Sequence, residues 1–150
     1  MNNIKIKLLS EKAIMPTRNN PNDAGLDLYA TEQKFIPYGT TLLISTDIAI
    51  QIPEGYVGKI EGRSSMNKKG IITSGGVIDS GYSGDVSIIL NNFSNRENFS
   101  SVEGGRGYLI NKGDKIAQLL VYKVETPYPL KVETIWSSDR NDKGFGSSGR

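Results

Sequence analysis

Apolar and polar residues alternate with a period of two in Ile4-Lys5-Ile6-Lys7-Leu8 and again in Ile48-Ala49-Ile50-Gln51-Ile52, the second run stopping at the turn signal Pro53-Glu54-Gly55. Such alternation predicts strands with one face toward a core. Residues 56–60, 71–73, 86–90, 108–110, 115–124 and 130–135 carry further short apolar runs and are read as strands as well. Glycine and proline interrupt the chain before a helix of ordinary length can form. A single helical turn is predicted over 64–69, closed by Gly70 as a C-terminal cap. Many short strands with close turn signals give an all-β class: a sandwich, jelly roll or barrel with at most one short helix.

Neither a repeat nor a linker divides the 150 residues, a length at which one domain buries its own core. Residues 91–103 are polar and rich in Asn and Ser and run into Gly104-Gly105-Arg106-Gly107, which predicts a long exposed loop over 91–107. The end of the chain has the composition of a flexible arm, so the expected organisation is a domain over 1–138 and an arm over 139–150. Phe145 stands alone there among small residues. No apolar run approaches the roughly 20 residues needed to span a bilayer. Met1-Asn2-Asn3-Ile4-Lys5 also lacks the apolar stretch of a secretory signal. The expectation is a soluble, non-secreted protein of the cytoplasm, or of the nucleus or virus-infected-cell cytoplasm, with no membrane partner.

Composition narrows the chemistry. The chain has no His and no Cys, which excludes a Ser-His-Asp triad, a thiolate nucleophile and a thiolate-imidazole zinc site. A general base must be Asp, Glu, Lys or Tyr. A metal must be a hard cation held by oxygen, with magnesium the leading choice. Lys and Arg total 18 against 16 acidic residues, a net charge of +2 that is too small for stable nucleic-acid binding. A polyanionic small molecule needs no more than a few local cations.

Several glycine-rich clusters could supply them. Gly75-Gly76-Val77-Ile78-Asp79-Ser80-Gly81-Tyr82-Ser83-Gly84-Asp85 sets a carboxylate and a ring between two apolar runs. Gly62-Arg63-Ser64-Ser65, Gly113-Asp114-Lys115 leading to Gln118, and the arm with Arg140, Ser147 and Ser148 combine backbone N–H groups, hydroxyls and cations, the donors that phosphate oxygens accept. None is a Walker-type loop. Each alone is weak, because Gly-Arg-Ser-Ser is usually an ordinary turn and Asp beside Gly usually serves one. Asp23 and Asp85 are read as loop or strand-end residues, and Phe35 and Trp136 as packing residues.

The order of the clusters is more specific. Asp23-Ala24-Gly25-Leu26-Asp27-Leu28, Gly62-Arg63-Ser64-Ser65, Gly76-Val77-Ile78-Asp79 with Tyr82, Gly113-Asp114-Lys115-Ile116-Ala117-Gln118-Leu119, and Arg140 with Gly144-Phe145-Gly146-Ser147-Ser148-Gly149 together resemble the five ordered motifs of the trimeric deoxyuridine triphosphatases (dUTPases). The resemblance implies a β-clip, jelly-roll-like subunit in a homotrimer whose active sites are shared between neighbours. It implies hydrolysis of dUTP to dUMP and pyrophosphate with magnesium on the triphosphate, which keeps uracil out of DNA and supplies dUMP for thymidylate synthesis. By position, Asp79 matches the carboxylate that activates water, Tyr82 the ring on the deoxyribose, and the backbone around Gly76 and Ser87 the reader of the uracil edge. Asp27 corresponds to the carboxylate that holds magnesium through water. Arg63, Ser64, Ser65 and Gln118 fall at the phosphates, with Asp114 expected to pair with Arg63 as a structural residue. Arg140, Ser147 and Ser148 match the arm that closes on the γ-phosphate and Phe145 the ring that covers the uracil, with Gly146 also expected to bind substrate.

Elementary chemistry agrees with that assignment. A carboxylate of pKa about 3.9 is ionised at neutral pH but is a weak base, so Asp79 mainly aims and polarises the water. Uracil and cytosine reverse donor and acceptor at two ring positions, and a rigid backbone N–H and C=O pair leaves groups unpaired with the wrong base. Two alternatives stand beside this reading. The deoxycytidine triphosphate deaminases share the fold and a Gly-Arg-Ser-Ser, but they supply a Glu where this chain has Ile89. The other alternative is a regulatory nucleotide-binding protein on the same fold, for which the 91–107 loop is the natural partner surface.

Overall fold

The computed structural model describes residues 3–94 and 106–135. In chain order the elements are β1 (Lys5–Leu8), β2 (Leu26–Tyr29), β3 (Lys34–Pro37), β4 (Thr41–Gln51), β5 (Tyr56–Glu61), α1 (Ser64–Asn67), β6 (Ile71–Ser74), β7 (Val77–Ile78), β8 (Asp85–Asn92), β9 (Gly107–Ile110) and β10 (Lys115–Lys123). They form a sheet in the order β1-β4-β8-β6, a second in the order β2-β10-β5-β7, and a small pair β3-β9. The described residues are nearly all β with one short helix, as the alternation predicts.

Strand β8 shows how the pattern becomes a core. Val86, Ile88, Leu90 and Asn92 are buried while the residues between them are not, because successive side chains leave opposite faces. Ile44, Ile48 and Ile50 of β4 join them, with Leu28, Ile60, Ile116 and Leu119 of the other sheet, in one apolar cluster. Asn92 is fully buried yet satisfied: its Nδ2 donates to the Ile36 carbonyl at 2.8 Å and its Oδ1 accepts the Ser94 N–H at 2.9 Å.

Strand β4 begins at Thr41, earlier than the alternation at Ile48 suggests, because the buried position between Ile44 and Ile48 is the polar Thr46; the register against β8 shifts between Ser45 and Ala49. Asp47 sits in that bulge at φ 50°, a left-handed conformation that Asp tolerates better than most residues. Its carboxylate accepts from the Ser45 hydroxyl and, at 2.6 Å, from that of Ser10, while its carbonyl takes the Leu9 N–H at 2.8 Å. These hydroxyls hold the Asp47 carboxyl below the usual carboxylate range. The bulge thus ties the segment after β1 to the middle of β4.

Three expectations are corrected. Residues 130–135 form no strand: Tyr128 is 97% exposed, Leu130 83% and Ile135 85%, and no described strand pairs with that segment. The helix is Ser64–Asn67, with Lys68 at its C-cap and Gly70 at φ 81°, shorter than 64–69. The loop predicted over 91–107 yields its ends to β8 and β9. Residues 95–105, and with them the predicted partner surface, lie outside the described residues. So do Trp136, Arg140, Phe145, Gly146, Ser147, Ser148 and the boundary at 138. Among the described residues no helix is long and apolar enough to cross a membrane.

Candidate active site

The hairpin that follows β6 is built on glycines for a steric reason. Gly76 lies at φ 98°, and a β-carbon there would stand 2.6 Å from Ile60 Cβ and 2.9 Å from the Ile60 carbonyl oxygen. That close approach lets Ile60 N–H donate to the Gly76 carbonyl at 2.7 Å and leads into the pairing of β7 with β5, Gly58 with Ile78 and Lys59 with Val77. Beyond β7 the chain turns tightly, with Tyr82 N–H donating to the Asp79 carbonyl at 3.0 Å. The Tyr82 ring folds back until its hydroxyl donates to the Asp85 carbonyl at 2.7 Å. It can do so because Gly84 has no β-carbon: one would meet the hydroxyl oxygen at 2.6 Å.

Ile60, Gly76, Val77, Ile78, Asp79, Tyr82, Asp85, Val86 and Ser87 enclose a cleft of about 190 Å³. Asp79 is exposed, and its carboxylate has no hydrogen-bond or ionic partner among the described residues. Ser87 donates to the Asp85 carboxylate at 2.8 Å. Asp79, Tyr82, Gly76 and Ser87, predicted to act together, do share one wall system. Asp85 opens β8, as expected of a strand-end residue.

A second cleft, about 640 Å³, is lined by Asn19, Asp23, Ala24, Gly25, Asp27, Arg63, Ser64, Ser65 and Gln118. Strand register assembles it. Gln118 of β10 lies opposite Asp27 of β2 on one side and opposite Glu61 of β5 on the other, so three distant segments meet in a line. Gln118 Nε2 donates to the Gly62 carbonyl at 3.1 Å, and a β-carbon at Gly25 would fall 2.4 Å from Gln118 Oε1, so any larger residue there displaces the amide. Asp27 is 8% exposed. One of its oxygens holds Arg63 Nε at 2.8 Å and the other Lys115 Nζ at 2.7 Å, and Arg63 Nη1 reaches the Lys115 carbonyl at 3.1 Å. The bond to Asp27 raises the Lys115 pKa above its ordinary value.

The expected Asp114–Arg63 pair does not form. Asp114 instead accepts the Asn111 N–H at 2.8 Å and closes the turn before β10, while Arg63 belongs to Asp27. Sequence places Lys115 in a cation-bearing cluster but gives it no individual role or partner. Its place follows from a register shift between Lys115 and Ala117, which no residue pattern announces.

No group of three or more acidic, His or Cys side chains that could cage a metal occurs among the described residues. A carboxylate offers about four acceptor positions. Asp27, with one cation on each oxygen, therefore retains lone pairs for metal-bound water. Magnesium keeps several waters and binds through substrate phosphates, so the donor set fits a magnesium ion held through water.

The two clefts have no lining residue in common. One offers hydroxyls and a guanidinium, the other a carboxylate, a ring and backbone polar groups beside apolar walls. The described residues thus form a β-sheet protein with one cleft whose donors suit phosphate oxygens and another of mixed polar and apolar lining.

The family model for dUTPase matches residues 11–149. A probable deoxyuridine 5'-triphosphate nucleotidohydrolase of Schizosaccharomyces pombe is 38% identical over 145 residues, covering 96% of each chain. The solved dUTPase of Staphylococcus bacteriophage 80alpha with dUPNHPP is 35% identical, with a TM-score of 0.88 over 100% of both chains. A mutant dUTPase from phage phi11 of S. aureus, described with a coordinated structural Mg(II) ion, is 34% identical at a TM-score of 0.81, covering 89% of this chain and 98% of that one. The chain belongs to the dUTPase family.

Proposed function

We propose that this chain hydrolyses dUTP to dUMP and pyrophosphate, and so acts as a dUTP diphosphatase that keeps uracil out of DNA and provides dUMP for thymidylate synthesis. The observation that carries the reading is the exposed Asp79 carboxylate, without a partner among the described residues, in the same hairpin as the folded-back Tyr82 ring. Asp79 accepts a proton from water as the water oxygen bonds to the α-phosphorus, and the bond from that phosphorus to the α,β-bridging oxygen breaks, releasing pyrophosphate. Carboxylates are weak bases and contribute mostly by aiming the water, so charge stabilisation at the phosphates supplies most of the acceleration. Arg63, Ser64, Ser65 and Gln118 hold the triphosphate. Asp27 would hold magnesium through water, and the ion would supply positive charge that offsets that of the phosphates. Gly76 and Ser87 read the uracil edge, and the Tyr82 face excludes a ribose hydroxyl.

Two clefts with separate walls support a homotrimer in which one subunit supplies the base cleft and another the phosphate cleft. The exposed apolar side chains Tyr128, Leu130 and Ile135 support burial against other copies, since isolated subunits seldom leave such strips in water. We read residues 1–138 as one domain and 139–150 as the arm that brings Arg140 and Ser147–Ser148 to the γ-phosphate and Phe145 to the uracil, with Gly146 also at the substrate. The cytoplasm, or that of a virus-infected cell, is the inferred place of action. Deamination of dCTP is disfavoured because Ile89, where the deaminases carry Glu, cannot shuttle a proton.

The test is release of pyrophosphate from dUTP, dCTP, dTTP and UTP with and without magnesium, alongside ammonia release from dCTP. Turnover confined to dUTP and dependent on magnesium is expected. Ammonia from dCTP would overturn the choice of reaction.

A further inference from the structure

Lys115 grips both members of the Asp27–Arg63 pair. Its ammonium group holds Asp27 Oδ2 at 2.7 Å, and its carbonyl holds Arg63 Nη1 at 3.1 Å. The ammonium also lies 5.9 Å from the centroid of the Tyr29 ring, whose hydroxyl meets Thr17 Oγ1 at 2.5 Å. Lys115 is thus held from both sides, between a buried carboxylate and a ring that is itself tied to the segment before β2.

The electrostatic consequence is specific. Asp27 by itself would present an anion to the wall of a cleft meant for phosphates. With Arg63 and Lys115 the cluster sums to one positive charge. Because Lys115 occupies Oδ2, Arg63 is limited to a contact through Nε with Oδ1. Its Nη1 donates to the Lys115 carbonyl and lies 3.5 Å from the hydroxyl of Ser65, which lines the same cleft as Arg63. Without Lys115 both carboxylate oxygens are open to the guanidinium, and bidentate pairing, which carboxylates favour with Arg, turns the Nη donors away from the cleft.

We propose that Lys115 is a positioning residue for the β- and γ-phosphates, acting through Asp27 and Arg63 to keep the guanidinium aimed into the phosphate cleft. The proposal deepens the dUTP reading and rests on it for the identity of the substrate, though not for the anion site itself.

The test compares Lys115→Met and Lys115→Arg with the parent in the full chain, by calorimetric binding of inorganic pyrophosphate and of dUMP, and by steady-state kinetics with dUTP. Lys115→Met should weaken pyrophosphate binding and raise KM for dUTP by about tenfold, the loss expected for one charge-assisted contact, while dUMP affinity stays within about twofold. Lys115→Arg should recover most of the loss, since it restores the cation. The proposal is overturned if pyrophosphate affinity is unchanged in Lys115→Met, if dUMP and pyrophosphate affinities fall together, or if Lys115→Arg is no better than Lys115→Met at equal thermal stability. A parent that binds pyrophosphate through Lys115 but fails to cleave dUTP would sink the substrate reading and leave the anion cradle standing.

Discussion

Gly84→Ala isolates what the fold of the Tyr82 ring contributes. Gly84 is not at positive φ, so alanine brings no backbone strain and acts through one methyl group. That carbon would lie 2.6 Å from the Tyr82 hydroxyl oxygen, 2.8 Å from Cζ and 3.2 Å from Cε2. Ordinary contacts begin near 3.5 Å, so the phenol end must retreat by roughly 1 Å. The bond from the hydroxyl to the Asp85 carbonyl, now 2.7 Å, cannot survive that shift. Its loss costs about 0.5–1.5 kcal/mol, and any off-rotamer tilt costs a further ~0.5–1.5 kcal/mol. The expected fall in kcat/KM for dUTP is about tenfold, at 1.4 kcal/mol per decade. UTP should lose less, because the displaced ring no longer blocks its 2′-hydroxyl. The assay is the ratio of kcat/KM for dUTP over UTP in parent and variant, with thermal unfolding as a control expected to shift by ~2–6 °C. A ratio within twofold of the parent in a folded variant would refute the idea that the backbone clasp on Tyr82 sets sugar selectivity.

Two further expectations concern carboxylates. Asp79→Asn keeps shape and removes basicity, so turnover of dUTP should drop by about 10²–10⁴ with dUTP binding nearly intact; a variant within tenfold of the parent would show that Asp79 is not the base. Asp47 has its pKa lowered from 3.8, first by Ser10 and then by Ser45, so its stabilising share is present above the unfolded value and fades as pH falls through the lower folded value. The difference in melting temperature between parent and Asp47→Asn, which keeps the left-handed conformation, should therefore be widest above about pH 4 and shrink below it; a constant difference from pH 7 to 2 would remove the charge from the explanation.

What the sequence revealed and concealed follows from the range of each interaction. Period-two alternation announces β8 and the later half of β4, because pleating is local. It missed the earlier half of β4, where Thr46 is buried in phase with Ile44 and Ile48 but is polar, so the apolar pattern lapses while the pleat continues. The Asp79–Tyr82 hairpin was legible since its chemistry, glycines and turn lie within a few residues. The Asp27–Arg63–Lys115 cluster was not, since it depends on the register of β2 and β10 and on where Arg63 follows β5. Asp114 misled because its motif near the phosphates suggested a pair with Arg63, whereas turn closure on Asn111 needed its oxygen. Residues 130–135 look like a strand in composition, but a strand needs a neighbour as well as a pattern.

Asn92 has a consequence for how this protein can change over evolutionary time. Its side chain ties the Ile36 carbonyl and the Ser94 N–H, its carbonyl takes the Gly39 N–H at 2.8 Å, Phe93 N–H is bound to Gly70 at 2.8 Å, and Tyr38 N–H is bound to the Arg106 carbonyl at 2.8 Å. Both roots of the segment between β8 and β9 are thereby fastened to the framework independently of what lies between them. Lengthening a loop whose ends are already fixed costs little, about 0.6 kcal/mol for each doubling. Insertions and deletions at 95–105 can thus accumulate without moving a strand of either cleft, which makes this the point where lineages can add new surface to an old enzyme while its chemistry stays under selection elsewhere.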